Sequence, residues 1–413
     1  MLFLTLQLNL IPAMRFFRIL LIFLLIFIRC NTTDIISREF NLELPEEVVI
    51  PPPMSAERME HIETLVQRVL DNHRFNGNVL IAFKGYPIVK ISRGYSNIFT
   101  KKPMNFETVF QLASVSKAFT AMSVLMLHER GKLHIEEPVQ NYIPEFPFEE
   151  ITIKHLLQHT SGLQNYMYFV DNYWDKEKSL TYDDVLTLLK EHNSGLGFTP
   201  GRRHHYSNTG YAMLAMLVER VSNMPFHQFV KQHIFDPVGM DHSFVWNKTT
   251  IDTSSNVAFG FVRRGRRYSK FDHDPLDEIG GDKSVYSTMD DLLKWEQAWS
   301  NNLLISDSLT KIAFTKVITP RNRFHDYGMG WRFMVVDDKQ VIYHNGLWNG
   351  FTTSLTRYIE DSVTIILLNN VNAPAASIVK QLYNTIKDEV IEEPFKVNQK
   401  DDPIASLSSG RGL

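Results

Sequence analysis

One stretch constrains this chain more than any other. From Phe110 to Gly131 it reads FQLASVSKAFTAMSVLMLHERG. Small and polar residues lead into a long apolar run without proline. The run closes on His128-Glu129-Arg130-Gly131, a helix stop with basic residues in the last turn and glycine beyond it. Val115, Ala118, Phe119, Met122, Val124, Leu125, Met126 and Leu127 cover nearly every face. A helix apolar all round belongs in the middle of a domain. Its first turn nevertheless carries Ser114, Ser116 and Lys117. A lysine at the mouth of a buried helix loses solvation and requires a compensating role.

Nucleophilic catalysis is one such role. Ser114 and Lys117 are three apart and share one helical face. A serine hydroxyl is a weak nucleophile until a neighbouring base takes its proton. Burial and the positive helix N-terminus both disfavour a charged lysine, which frees its amine to act as that base. The helix start also aims backbone N–H groups at an oxyanion formed there. A bare Ser-x-x-Lys is equally compatible with an N-cap serine and a snorkelling lysine. The rest of the chain must separate the two.

FQLASVSKAFTAM resembles the nucleophile segment of the serine β-lactamase and penicillin-binding-protein superfamily, in its class C-like branch of β-lactamase-related hydrolases. That resemblance implies two further motifs, Tyr-x-Asn and Lys-Thr-Gly or His-x-Gly. The first follows Pro200-Gly201, as Tyr206-Ser207-Asn208 before a helix-like run. The second is His344-Asn345-Gly346, after the β-like Val341-Ile342-Tyr343. Order and spacing match. The resemblance implies that Ser114 attacks a carbonyl, that Lys117 and Tyr206 shuttle the proton, and that Asn208 and His344 orient the substrate. It places the substrate against the strand at Gly346 and the oxyanion between the N–H groups of Ser114 and Leu347. Neither a metal nor an organic cofactor is required.

Other stretches extend the match over about residues 75–370. FNGNVLIAFKGYPIVKISRGYSN resembles a first hairpin, with the turn at Lys84-Gly85-Tyr86-Pro87. Gly280-Gly281 offers a close backbone approach near the cleft, and Ser287-Thr288 before Asp290 and Asp291 is a good helix start. In ITIKHLLQHTSGL, His155 and His159 stand at i, i+4. The glutamate of a His-Glu-x-x-His zinc motif is missing and no third ligand is evident, so local packing near a helix end is the better reading. Arg202, Arg203, His204 and His205 read as a solvated loop.

The expected fold class is α+β, β-lactamase/transpeptidase-like. An antiparallel sheet flanked by helices (about residues 55–110 and 285–395) would carry an inserted helical subdomain (about 111–284), with the site in the crevice. Residues 1–30 read as a signal peptide or membrane anchor, with Arg15 and Arg18 ahead of an apolar run and the lone Cys30 at a lipoprotein-like position. Residues 31–54 read as a tether and 396–413 as a polar tail. These features predict an exported protein, periplasmic or in the cell envelope, attached to membrane through a peptide or lipid anchor. The net charge of -3 argues against nucleic acid as partner.

The expected activity is hydrolysis of a small ester, amide or peptide through an acyl-serine. A β-lactamase-related esterase is the first reading; a D-amino-acid-directed peptidase or true β-lactamase shares the chemistry. A non-catalytic envelope protein using the cleft only for binding is the reading of another class, and it leaves the lysine beside the serine without a purpose. The histidine in the third motif favours esters, because imidazole is mostly uncharged at neutral pH and loses the charge-assisted part of a carboxylate contact.

Overall fold

The computed structural model describes residues 52–391 apart from 74, 193–194, 248–255 and 272–273. The expected leader with Cys30, nearly all of the tether and the polar tail lie outside the described residues. Among the described residues no helix is long and apolar enough to cross a membrane.

The elements that position the site are α1 (Ala56–His73), β1 (Gly77–Phe83), β2 (Tyr86–Arg93), α2 (Ser116–Glu129), α3 (Tyr166–Tyr173), α4 (Asn208–Ser222), α5 (Met289–Ser300), β3 (Arg332–Val336), β4 (Lys339–Trp348), β5 (Phe351–Tyr358), β6 (Val363–Asn369) and α6 (Ala375–Ile391). The six strands form one sheet in the order β3-β4-β5-β6-β1-β2, every neighbouring pair antiparallel. The two ends of the described chain thus meet at the β1–β6 pairing, where Gly77 faces Asn369 and Phe83 faces Val363.

Strands β1 and β6 bury both faces, so their sequences are nearly continuous apolar runs whose alternate residues go to different cores. Val79 and Ile81 of β1, with Ile365 and Leu367 of β6, pack under α1 and α6 beside Ile62, Val66, Ile378 and Leu382. Leu80, Ala82, Ile366 and Leu368 face the opposite way, into the larger core with α2, α4 and α5. The β1–β2 hairpin turns on two residues, Lys84 and Gly85, both at positive φ (51° and 78°), as a type I′ connection requires. The turn is therefore tighter than the expected four residues. Tyr86 and Pro87 already belong to β2, an edge strand where a missing proline N–H costs no ladder bond.

Helix α2 runs through the middle of the larger core, and every residue from Ser116 to Leu127 is buried. Phe119 stacks on Trp295 of α5 at 4.1 Å. The helix starts later than the sequence suggests. Ala113–Val115 form a 3-10 turn, and the α-helix begins at Ser116. Ser114 therefore sits in that turn, one step after Ala113, which holds a positive φ of 49°. Such a conformation is costly for a residue with a Cβ and persists where surrounding contacts enforce it.

Candidate active site

Four contacts hold the Ser114 loop. Leu112 N–H donates to Val285 O at 2.8 Å, and Val285 N–H donates to Ser116 Oγ at 3.0 Å. Thr353 Oγ on β5 donates to Leu112 O at 2.7 Å. Gly346 supplies the fourth. A Cβ there would stand 2.2 Å from Leu112 O and 2.3 Å from Thr353 Oγ1, so the loop and β4 approach at a distance only glycine allows. The Cβ side of Gly346 is thus filled by the protein's own backbone. Between Thr108 and Leu127, Ser114 alone is not buried.

Lys117 is fully buried. Its Nζ lies 3.1 Å from Ser114 Oγ, 2.8 Å from Asn208 Oδ1 and 2.8 Å from the carbonyl of Asp282. Asn208 is the first residue of α4, and its amide nitrogen meets Met167 Sδ at 3.6 Å, which leaves Oδ1 for the lysine. The Asp282 carbonyl is brought close by Gly281. At φ 93°, that residue sits so near α4 that a Cβ would be 2.4 Å from Tyr211 O. The sequence placed Ser114, Lys117 and Asn208 together, and the structure does the same.

Tyr206 lies beside them without a hydrogen bond to either. Lys117 Nζ stands 4.9 Å from the centre of its ring, and Tyr206 Oη is buried with no hydrogen-bond partner among the described residues. His159 holds this tripeptide in place. Its carbonyl accepts from His205 N–H at 2.8 Å, its Nδ1 accepts from Ser207 N–H at 3.2 Å, and its ring packs on Tyr206 at 4.2 Å. Burial and the nearby Lys117 push its imidazole well below the ordinary range. The helix Ile153–Leu157 ends before His159, which has a φ of 56°. His155 instead closes a capping box with Thr152. The two histidines are thus committed to separate backbone partners.

His344 departs most from expectation. It is fully buried, with Nδ1 2.9 Å from Asn345 O and Nε2 3.3 Å from Tyr327 Oη. A ring nitrogen facing a carbonyl must carry the proton, so Nε2 accepts from the tyrosine. Both nitrogens are used inside the protein. Burial, then Arg332 and Lys117, hold this imidazole uncharged, well below its ordinary value.

The cation that does stand at the mouth was missed in the sequence. Arg332 opens β3, and its guanidinium lies 4.9 Å over the ring of Tyr206 and 5.7 Å over that of Tyr327, with no ion pair among the described residues. Pairing of β3 with β4 stops at Arg332 opposite Tyr343. From His344 to Trp348, β4 continues with a partner only in β5, leaving one edge open beside Ser114. Leu347, 66% exposed, lies on that stretch. An open edge can accept the backbone of an extended ligand.

A serine in hydrogen-bond contact with a fully buried lysine, at the start of a buried helix and beside an open strand edge, is the arrangement of a serine hydrolase. The chain belongs to the Beta-lactamase family, whose model matches residues 62–386. It is 35% identical over 330 residues to Penicillin-binding protein 4* of Bacillus subtilis (strain 168), covering 77% of this chain and 73% of that one. It is 29% identical to a putative penicillin-binding protein of the same organism, covering 76% of each. Among solved structures, a penicillin-binding protein from Bacillus halodurans superposes with a TM-score of 0.68 at 24% identity, over 77% of this chain and 98% of that one. The D-amino acid amidase of Ochrobactrum anthropi SV3 gives 0.68 at 21%, over 81% and 99%. At such identities the two structures establish a shared fold.

Proposed function

We propose that the protein hydrolyses esters or amides through an acyl-serine on Ser114, as a β-lactamase-related esterase. One observation carries this reading: the three oxygens within hydrogen-bond reach of Lys117 Nζ. A neutral amine has two hydrogens and one lone pair. Asn208 Oδ1 and Asp282 O take the hydrogens, so the lone pair is left for the hydroxyl of Ser114. The serine proton passes to Lys117 as the Oγ–C bond forms and the carbonyl pair moves onto oxygen. Collapse expels the alcohol or amine, which leaves with that proton. Tyr206 is placed to relay it once substrate tightens the site, since catalytic hydrogen bonds are often loose in a free enzyme. Water then attacks the acyl-serine, releasing the acid and returning a proton to Ser114. The backbone N–H groups of Ser114 and Leu347 are the proposed oxyanion donors. His344 and Gly346 shape the site from behind.

Arg332 favours a second reading, in which the substrate carries a carboxylate, as the free end of a D-amino-acid peptide does. A guanidinium with no ion pair among the described residues, beside an open edge, suits such a group. The relatives named as penicillin-binding proteins support the serine chemistry that both readings share. The test compares kcat/KM for a short neutral ester, a D-amino-acid peptide with a free C-terminus and its amidated form, on wild type and Arg332→Gln. Preference for the ester, little changed in the variant, supports the esterase. Preference for the free acid, lost about 10- to 100-fold in the variant, supports the second reading. Undiminished turnover by Ser114→Ala would overturn both.

A further inference from the structure

Lys117 is not the only buried lysine here. Lys283 is 2% exposed, and its Nζ lies 3.0 Å from each carboxylate oxygen of Asp282 and 2.5 Å from Tyr166 Oη. Asp282 is fully buried. One residue therefore serves two lysines, giving its carbonyl to Lys117 and its carboxylate to Lys283. A buried ion pair adds little net stability, because desolvation offsets the attraction. This pair lies at the cleft wall, with Lys283 Nζ 5.2 Å from the ring of Trp348, the residue after Leu347.

We propose that Lys283 is a positioning residue for Lys117: it binds the Asp282 carboxylate and cancels its charge, so that Asp282 lends Lys117 a carbonyl without stabilising the ammonium form. The proposal rests on reading Lys117 as the base of acylation. A lone buried carboxylate next to a lysine strongly favours the protonated lysine, which cannot accept a proton. With Lys283 bound to it, that field is largely neutralised.

The other groups around Lys117 do not supply this balance. Tyr206 and Tyr211 present ring faces at 4.9 and 5.6 Å. His159, and His344 on β4, are held uncharged by burial. Arg332 is a cation that works in the same direction as Lys283 but stands over Tyr206. Burial raises the Tyr166 phenol far above its ordinary value, so it stays neutral. Asp277 is engaged by Trp348 Nε1 at 2.6 Å and Gln111 Nε2 at 3.1 Å. His233, just before Asp236, is pushed down by burial first and then by Arg130 at the far end of α2.

The experiment measures the pH dependence of Ser114 phosphonylation by an uncharged fluorophosphonate. In that step a P–O bond forms, fluoride leaves and the serine proton goes to Lys117. Wild type, Lys283→Met, Asp282→Asn, the double variant and Lys117→Ala are compared, with folding checked by circular dichroism and thermal unfolding. Lys283→Met should move the acid limb of the rate upward by about one pH unit, from an interaction between close charges at an intermediate effective dielectric. Asp282→Asn removes the carboxylate, and Lys283, which burial already pushes below its ordinary value, then gives up its proton, so the limb should stay near wild type. The double variant should likewise sit near wild type. If Lys283→Met fails to fold, Lys283→Gln takes its place. An unmoved limb in the folded Lys283 variant, or an upward shift that persists in the double variant, overturns the proposal. An unimpaired Lys117→Ala overturns instead the reading of Lys117 as the base.

Discussion

Burial is the first cause that pushes six histidines below their ordinary value among the described residues: His155, His159, His227, His344, His204 and His233, the last two down to about 4. The consequence for stability follows from linkage. An unfolded histidine takes up its proton near pH 6.5. The folded one does so only at lower pH. The unfolded state therefore binds more protons over the interval between, and stability present above about pH 6.5 is lost as pH falls toward the folded values. The melting temperature should decline steadily below about pH 6.5, and His344→Gln should flatten part of that decline. A profile equally steep in the variant would show that His344 does not titrate as its burial requires. The same burial alters the basis for substrate choice. The residue type of the third motif was legible, and an uncharged ring was the correct expectation. Its facing was not, because a strand sequence does not tell which neighbours a side chain meets. Arg332 was invisible for the same reason: a lone arginine in a strand reads as surface until Tyr206 and the end of β3 are seen beside it.

At the level of elements, activity depends on how closely β4 presses on the 3-10 turn ahead of α2. Gly346→Ala would set a Cβ within 2.2 Å of Leu112 O. The loop or the strand must then move, and overpacking of this kind costs about 1–3 kcal/mol. The effect on catalysis should be larger in proportion. Displacement of Ser114 by about 1 Å is enough for roughly a 100-fold loss in acylation. The comparison to make is labelling rate against melting temperature for this variant. A large fall in melting temperature with an unchanged rate would mean that the contact supports the core and not the nucleophile. The β1–β2 hairpin was readable from the sequence, although its turn has two residues and not four. The start of α2 was not. The serine lies in a 3-10 turn after a strained Ala113, and that strain is imposed by contacts from Val285, Thr353 and Gly346, distant in the chain.

Across the whole molecule, the site is assembled from places far apart in the chain. The serine and lysine come from α2, the asparagine from α4, the carbonyl from Asp282 and the open edge from β4. The three motifs were legible because each is short and its residue types are dictated by chemistry. The Asp282–Lys283 pair was not, because adjacent charges of opposite sign ordinarily read as a solvated surface. The central claim is that Ser114 becomes acylated with Lys117 as its base. The most direct measurement is peptide-mapping mass spectrometry of acid-quenched protein after brief exposure to an activated acetyl ester. The acetyl group should appear on the peptide carrying Ser114, vanish in Ser114→Ala and form far more slowly in Lys117→Ala. Acetyl on a different residue, or equal labelling in Ser114→Ala, would contradict the account.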